Sequence, residues 1–339
     1  MVTAEGTPLH CNEQENSDLF WAARGAGPGT LSRLQTYTAY LQTSSGFPAI
    51  VTGFYLETRE AFKAMKNSIF IYPLSEYKVV MDWVQKVRLL PTISTIPFTT
   101  TYNTIQIALE SDESIEAVAV SILDPQTGTP ALLTSFLTFQ QTASAALASL
   151  APINASRPSG ALTELPSQDT SLLNEYCGQD LANPHGHRYI AENAYIRNDA
   201  DVTEVLRKAM TTLPEGSKSF TLWFSMYPCS RREMPDMALS MQSDHYLAIY
   251  TVWEKESDDE RCRAWVEGVM KEVERDSVGA YLGDSDFQVR KTRFWGSEQG
   301  ARLMDLRRKW DPEGRVCGFL DLGDKSGVEG LENLHEWEK

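Results

Sequence analysis

An α+β fold, with a large antiparallel sheet covered by helices, is what the 339 residues predict. Three observations lead there. Short runs rich in β-branched and aromatic residues alternate with segments of helical period. No strand is followed by the glycine fingerprint of a βαβ nucleotide-binding unit. The chain is 42% hydrophobic and 23% charged, the composition of a folded globular protein able to bury a core.

The elements follow in chain order. Asp18 to Arg24 turns apolar, with Asp18 as the expected N-cap and the glycines after Arg24 as its stop. Residues 47–56 (FPAIVTGFYL) read as a strand, and so do residues 66–72 (KNSIFIY). Ser75 to Lys86 reads as a helix capped by Ser75, with Val79, Val80, Trp83, Val84 and Val87 on its apolar side. Ile105–Leu109 and Ala117–Leu123 read as strands, and Ser135–Leu150 as a strand tip running into a helix. Ala151–Thr170, rich in Pro, Ser and Thr, reads as a surface connection. Arg188–Ile196 is an expected strand, Val202–Thr212 a helix and Ser219–Met226 a strand. His245–Trp253 alternates cleanly and is the clearest strand, Asp258–Arg275 the clearest helix, and Ser297–Lys309 a shorter helix. Residues 323–339 form a polar tail.

Charge excludes one class of function. Against 31 Lys and Arg stand 46 Asp and Glu, a net charge of −15, and phosphate backbones need clustered cations. No partner nucleic acid is expected. No apolar run is long enough to span a membrane, and residues 1–6 have neither the basic start nor the apolar run of a secretory signal, so a soluble chain is expected, its compartment open. The five cysteines show no metal-ligand spacing, and an odd number cannot form a complete disulfide framework.

Local chemistry is sparse. His185 and His187 lack a third ligand at useful spacing, which favours a polar loop over a metal site. His245, beside Asp244, reads as a structural histidine. Ser225 and Ser240 have no nucleophile-elbow context. Strand alternation gives Trp223, Ser225 and Tyr227 one face of their strand, and Tyr246, Ala248 and Tyr250 one face of theirs. Such aromatics can wall a flat organic substrate or fill a core equally well. The run Gly25-Ala26-Gly27-Pro28-Gly29 allows close backbone approach to a ligand, and equally ends a helix.

Three segments in order change that weight: residues 2–6 (VTAEG), 18–29 (DLFWAARGAGPG) and 47–52 (FPAIVT). Together they resemble the FAD-linked oxidases of the vanillyl-alcohol oxidase and berberine-bridge group, in which VTADG, DLFWALRGGGG and FGVVT follow one another. A second resemblance closes the chain, in Phe294-Trp295-Gly296, Arg302-Leu303, Arg307, Lys309 and Asp311-Pro312. The group is PCMH-type, so the resemblance implies a remnant of a PCMH-type FAD-binding domain joined to a substrate domain. The divisions are 1–56 for the FAD-binding part, 57–286 for the substrate domain, 287–322 for a return segment and 323–339 for the tail.

The resemblance also implies roles. Gly25, Gly27 and Gly29 would lie near the ribityl-phosphate side of FAD, and Ala49, Ile50 and Val51 near its adenine end. Tyr281 matches the tyrosine of the group's Y-x-N, whereas Gly283 replaces the asparagine, so its polar role would pass to Asp284. Tyr227, Glu233 and Asp236 fall where a catalytic base is expected, and Trp223, Ser225, Tyr246 and Tyr250 where substrate is. The match begins at VTADG, so the lobe carrying the pyrophosphate loop and the covalent flavin attachment has no counterpart here. Weak FAD binding or none is therefore expected of the chain as it stands.

Thr30–Gly46, rich in Ser, Thr and Tyr, interrupts the match and reads either as a translated intron or as a surface loop. Three readings of function remain: an oxidoreductase for a small organic substrate, as in fungal secondary metabolism; a flavin-free remnant that binds without catalysis or acts like a cyclase or isomerase; and a subunit partnered by a separate FAD-binding lobe. Sequencing the transcript is expected to show whether the codons of Thr30–Gly46 survive splicing; their retention sinks the intron reading.

Overall fold

His245–Trp253 alternates because one of its sides is fully buried while Tyr246 and Tyr250 on the other are only partly so, and it lies inside a sheet with a strand on each edge. The computed structural model describes residues 1–26, 47–56, 61–87, 115–123, 129–182, 184–215, 217–226, 230, 233, 235–286, 290, 292–313 and 315–316. The chain divides into two units. The first comprises Met1–Thr58, Glu233–Gln242 and Val278–Lys339; the second comprises Arg59–Arg232 and Ser243–Ser277.

The second unit carries the sheet. Its strands are β3 (Ala64–Pro73), β4 (Ile115–Leu123), β5 (Pro130–Gln140), β6 (Thr163–Asp169), β7 (Arg188–Ile196), β8 (Phe220–Ser225) and β9 (His245–Trp253). The order is β10-β7-β9-β8-β4-β5-β3-β6, where β10 (Ser277–Gly279) is the short strand on which the division between units falls. The pairs β3/β5, β3/β6, β4/β5, β4/β8, β7/β9 and β8/β9 are all antiparallel. The fold class is α+β, as expected.

Register decides which side chains share a face, because residues directly opposite in a ladder point the same way. Phe70 pairs Thr134 and Trp223 pairs Leu247, and the backbone register through β4 sets these two pairs on one face of the sheet. This row faces helix α2 (Tyr77–Val87), whose Trp83 meets Phe70, Tyr72 and Phe136 edge-on at ring separations of 5.9, 6.5 and 5.0 Å. Helix α3 (Ala143–Ser156) lies against β3 and β5, and is capped by Thr142, which accepts from Ala145 N–H.

Several expectations need correction. Ala151–Thr170 is not a plain connection, since it holds the end of α3 and the strand β6. That strand lies at the sheet edge and bulges where Ser167 takes φ 52°, so its exposed, proline-bearing sequence hides it. Helix α4 (Leu172–Ala182) was not foreseen. Val202–Thr212 breaks at Leu206 into α5 (Val202–Val205) and α6 (Arg207–Thr211). Val79 is half exposed rather than on the core side of α2. Helix α7 (Asp259–Val273) follows the expected range and lies against β7 and β9. The expected strand Ile105–Leu109, the 30–46 segment and the 323–339 tail lie outside the described residues.

The first unit is built on α1 (Ser17–Ala23) and α8 (Ser297–Trp310), with a small antiparallel sheet of β1 (Val2–Thr3) and β2 (Ala49–Ile50). The strand expected over residues 47–56 is thus only two residues long. Asp18 does not cap α1; Asn16 precedes the helix in the left-handed region, and Asp18 is used elsewhere. One buried cluster joins Leu19, Trp21 and Ala26 to Phe47, Ala49, Ala280, Leu282, Trp295 and Leu303. No helix among the described residues is long and apolar enough to cross a membrane.

Trp83→Ala empties the contact that holds α2 on the sheet, and is expected to cost about 3–5 kcal/mol. Urea denaturation followed by far-ultraviolet circular dichroism checks this.

Candidate functional site

The described part of the longest sequence word, residues 18–26, folds into a helix whose end is gripped by two distant segments. Gly25 stands at φ +126°, a conformation open to glycine, and a Cβ there would lie 2.0 Å from Leu239 N and 2.4 Å from its Cα. Leu239 N–H donates to the Arg24 carbonyl at 2.9 Å and Ala238 N–H to the Trp21 carbonyl at 3.3 Å. Trp295 donates its indole N–H to the Gly25 carbonyl at 2.8 Å, and Gly296 N–H donates to Ser240 Oγ at 2.8 Å. The two sequence words that resemble one group are therefore in direct contact.

Charges complete this junction. Asp236 accepts from Trp21 Nε1 at 2.6 Å and from Arg302 Nη1 at 3.0 and 3.1 Å, while the Arg302 guanidinium lies 3.9 Å over the Trp21 ring. Arg24 Nη2 donates to the Asp236 carbonyl. Burial raises the Asp236 pKa, but the hydrogen bonds from Arg302 and Trp21 outweigh it and hold the carboxyl below the usual range. Asp18 accepts from Lys309 Nζ at 2.6 Å and Trp310 Nε1 at 2.9 Å, which ties α1 to α8. Burial raises its pKa too, and the bonds from Lys309 and Trp310 bring it below the ordinary value.

Farther along the same unit, Tyr281 is 39% exposed, and its ring lies against Gly283, where a Cβ would come within 2.6 Å of Cε1. Burial first, and the Asp284 charge second, push the Tyr281 phenol above its ordinary pKa, so it stays protonated near neutrality.

In the second unit the sheet face opposite α2 is aromatic and half-buried. Phe224 pairs Tyr246, which pairs Tyr195, the two tyrosine rings 5.2 Å apart. Phe220 pairs Tyr250, with rings stacked at 4.9 Å and 20°. Between these aromatic pairs runs the row Leu222, Ala248 and Asn193, the last two fully buried. Two aromatic pairs, one tilted by 50° and one stacked, thus flank that row, a surface on which a planar ligand can lie.

The residues singled out from the sequence fall into separate places. Tyr246 and Tyr250 lie on the aromatic face. Trp223 and Ser225 do not: register puts them opposite Leu247 and His245, on the face that Trp83 covers, and Trp223 is fully buried there. Glu233 is exposed, and both it and Asp236 belong to the Glu233–Gln242 excursion of the first unit. Ala49 and Val51 are buried and Ile50 is half exposed. Gly27, Gly29 and Tyr227 lie outside the described residues. Tyr195, Phe220, Phe224 and Asn193 were missed, because only strand register brings them beside Tyr246 and Tyr250. His187 Nε2 meets Glu254 at 3.1 Å, and no group of metal-ligating side chains occurs among the described residues.

Comparison with known proteins decides the relationship. The FAD-linked oxidoreductase ptmO of Penicillium ochrochloron is 34% identical over 322 residues, covering 95% of this chain. The chain is a relative of the FAD-linked oxidoreductases. PenO of Penicillium crustosum is 33% identical over the same share, and nodO of Hypoxylon pulicicidum 28% over 94% of the chain. This relative of the FAD-linked oxidoreductases spans 63% of the length of each. No established family profile matches. Among solved structures, Physcomitrella patens BBE-like 1 aligns with a TM-score of 0.65 at 15% identity, over 95% of this chain and 63% of that one. The 6-hydroxy-D-nicotine oxidase of Arthrobacter nicotinovorans aligns with a TM-score of 0.61 at 13% identity, over 95% and 64%. The fold is theirs.

FAD asks a protein for donors at its pyrophosphate and for open backbone beside its rings. The described residues meet this in part. The space a Cβ would fill at Gly25 is taken by Leu239, not left for a ligand. In the first unit Arg24, Arg302, Arg307, Arg308, Lys309 and Arg315 each hold a carboxylate or carbonyl of the protein itself. Ile50 and Tyr281 remain accessible. Among the described residues these supply no pyrophosphate cradle.

Gly25→Ala is expected to destabilise the first unit by about 2 kcal/mol or more, because backbone must move, and Trp295→Phe by about 1 kcal/mol for one hydrogen bond. Chemical denaturation of the two variants checks the order. Acid offers a second test. Asp18 and Asp236 have folded pKa values below their unfolded ones, so their contribution is complete above the ordinary carboxylate pKa and is lost as pH falls through the depressed values. Melting temperature against pH in D18N/D236N should be flatter on the acid side than in the parent.

Proposed function

We propose that this chain forms the substrate-side part of a FAD-linked oxidoreductase acting on a small, flat organic molecule in the biosynthesis of a secondary metabolite. The observation that carries the reading is the aromatic face of the sheet, with the pairs Tyr195/Tyr246 and Phe220/Tyr250 flanking Ala248, on a chain similar to FAD-linked oxidoreductases along 95% of its length. Bound FAD would supply the hydride acceptor. Its remaining contacts come from sequence that the relatives have and these 339 residues do not match, whether on one polypeptide or two.

This chain's own residues then bind, orient and handle protons. The aromatic pairs hold a planar substrate by stacking, which fixes its plane without selecting its polar groups. Tyr281, protonated near neutrality, donates a hydrogen bond at the exposed margin. Asp236 is a poor base, since its carboxylate is committed to Trp21 and Arg302 and its pKa is lowered. Glu233 and Tyr227 stay as candidate bases.

The experiment is a binding and redox titration. Indole and benzyl alcohol serve as flat probes of purified protein, followed by tyrosine and tryptophan fluorescence. Binding weakened roughly tenfold in Tyr246→Ala/Tyr250→Ala, with circular dichroism unchanged, is the expected result. Unaltered binding in that variant removes the aromatic face from the proposal. Adding FAD anaerobically with benzyl alcohol tests the redox half: bleaching of the flavin band supports an oxidoreductase, and a stable band with bound probe points to the flavin-free reading.

A further inference from the structure

In the turn that follows β10, the backbone is anchored on both sides of one aromatic ring. Ala280 N–H donates to the Arg293 carbonyl at 2.8 Å, and Ala280 and Leu282 both sink into the buried cluster of the first unit. Between them, the Tyr281 carbonyl accepts from Asp284 N–H at 3.4 Å and from Ser285 Oγ at 3.3 Å. With the backbone held at these points, the freedom left at residue 281 is rotation of the side chain about its own bonds.

One neighbour decides where that rotation stops. Gly283 lies in a single 3-10 turn, Leu282–Asp284, and its backbone is outside the left-handed region that Gly25 occupies. Its conformation therefore admits any L-residue. Its surroundings do not. A Cβ at residue 283 would lie 2.6 Å from Tyr281 Cε1, 2.9 Å from Cζ and 3.0 Å from Oη, so the three nearest atoms all belong to the phenol. The backbone does not ask for glycine here; the ring does. Seated in this space, the phenol is drawn from water beside Asp284, and burial first and that charge second keep it protonated near neutrality. A side chain at 283 would drive the ring out, because the ring can turn and the anchored backbone cannot.

We infer that Gly283 is a positioning residue: the side chain it lacks leaves the seat of the Tyr281 ring, and that seat fixes the place and direction of a hydroxyl donor for an acceptor oxygen or nitrogen of the ligand. A donor moved by about 1 Å loses much of its value in a site, so the seat matters as much as the hydroxyl. The use of the donor rests on the proposed function; its position rests on the turn alone.

The test replaces Tyr281 by 3-fluorotyrosine in the full chain and follows its fluorine NMR resonance against pH. With Gly283 in place, the label should ionise above free 3-fluorotyrosine. In Gly283→Ala it should ionise with the free amino acid, while Gly178→Ala, whose Cβ meets nothing within 4 Å, should leave the titration unchanged. An unchanged titration in Gly283→Ala overturns the inference. Should Gly283→Ala fail to fold, Tyr281→Ala/Gly283→Ala decides, because the clash leaves with the ring. Restored folding supports the inference, and a double variant as unstable as Gly283→Ala overturns it. Flavin bleaching by benzyl alcohol reads the use of the donor. A fluorine shift with bleaching slowed roughly tenfold supports both position and use. A shift with unaltered bleaching leaves the position standing and removes Tyr281 from the proposed reaction. No bleaching in the parent sinks the oxidoreductase reading alone, since the fluorine titration needs no flavin.

Discussion

The close approach of Leu239 to Gly25 is the constraint on which the first unit depends. At that point the end of α1, an excursion from far along the chain and the Trp295 region share one small volume, and no side chain fits at residue 25. Around it Asp236 and Asp18 each draw an indole and a cation to a single carboxylate. The sequence word 18–26 is thus less a ligand loop than the keystone of a packing junction. Its aspartate, tryptophan, arginine and glycine each have a named partner within the protein.

The second unit shows how one sheet can serve two purposes. The face under Trp83 is closed by helix, and it buries polar Ser68, Thr134, Glu192, Thr221 and His245 beside apolar Phe70, Trp223, Leu247 and Ala194. The other face keeps the rings of Phe220, Phe224, Tyr246 and Tyr250 partly exposed, which costs hydrophobic stabilisation, and it is where the proposed flat ligand would lie. Trp223 and Tyr246, both aromatic and on neighbouring strands, belong to different faces because a shift of one residue in an antiparallel register reverses every side chain.

Legibility in the sequence followed local physics. Arg188–Ile196 and His245–Trp253 were readable because alternation is a property of a few neighbouring residues. The strand β6 was not, since an edge strand buries little and its TELPSQD sequence carries no alternation to read. Asp18 looked like a helix cap from its position alone, and its true partners, Lys309 and Trp310, lie almost three hundred residues away. Of the site, Tyr246 and Tyr250 could be named, whereas Phe220, Phe224 and Tyr195 could not, because nothing within one strand tells which neighbour it will have.

What the amino-acid sequence determined by itself was the α+β class, most element positions, an acidic net charge, and kinship through two long words. Those depend on short-range period, composition and residue identity. Only the tertiary structure decided that the two words touch through Trp295 and Gly25, and that Trp223 is core while Tyr246 lines the open face. Each is a contact or register between segments distant in the chain, and such pairings are chosen by the packing of the whole unit.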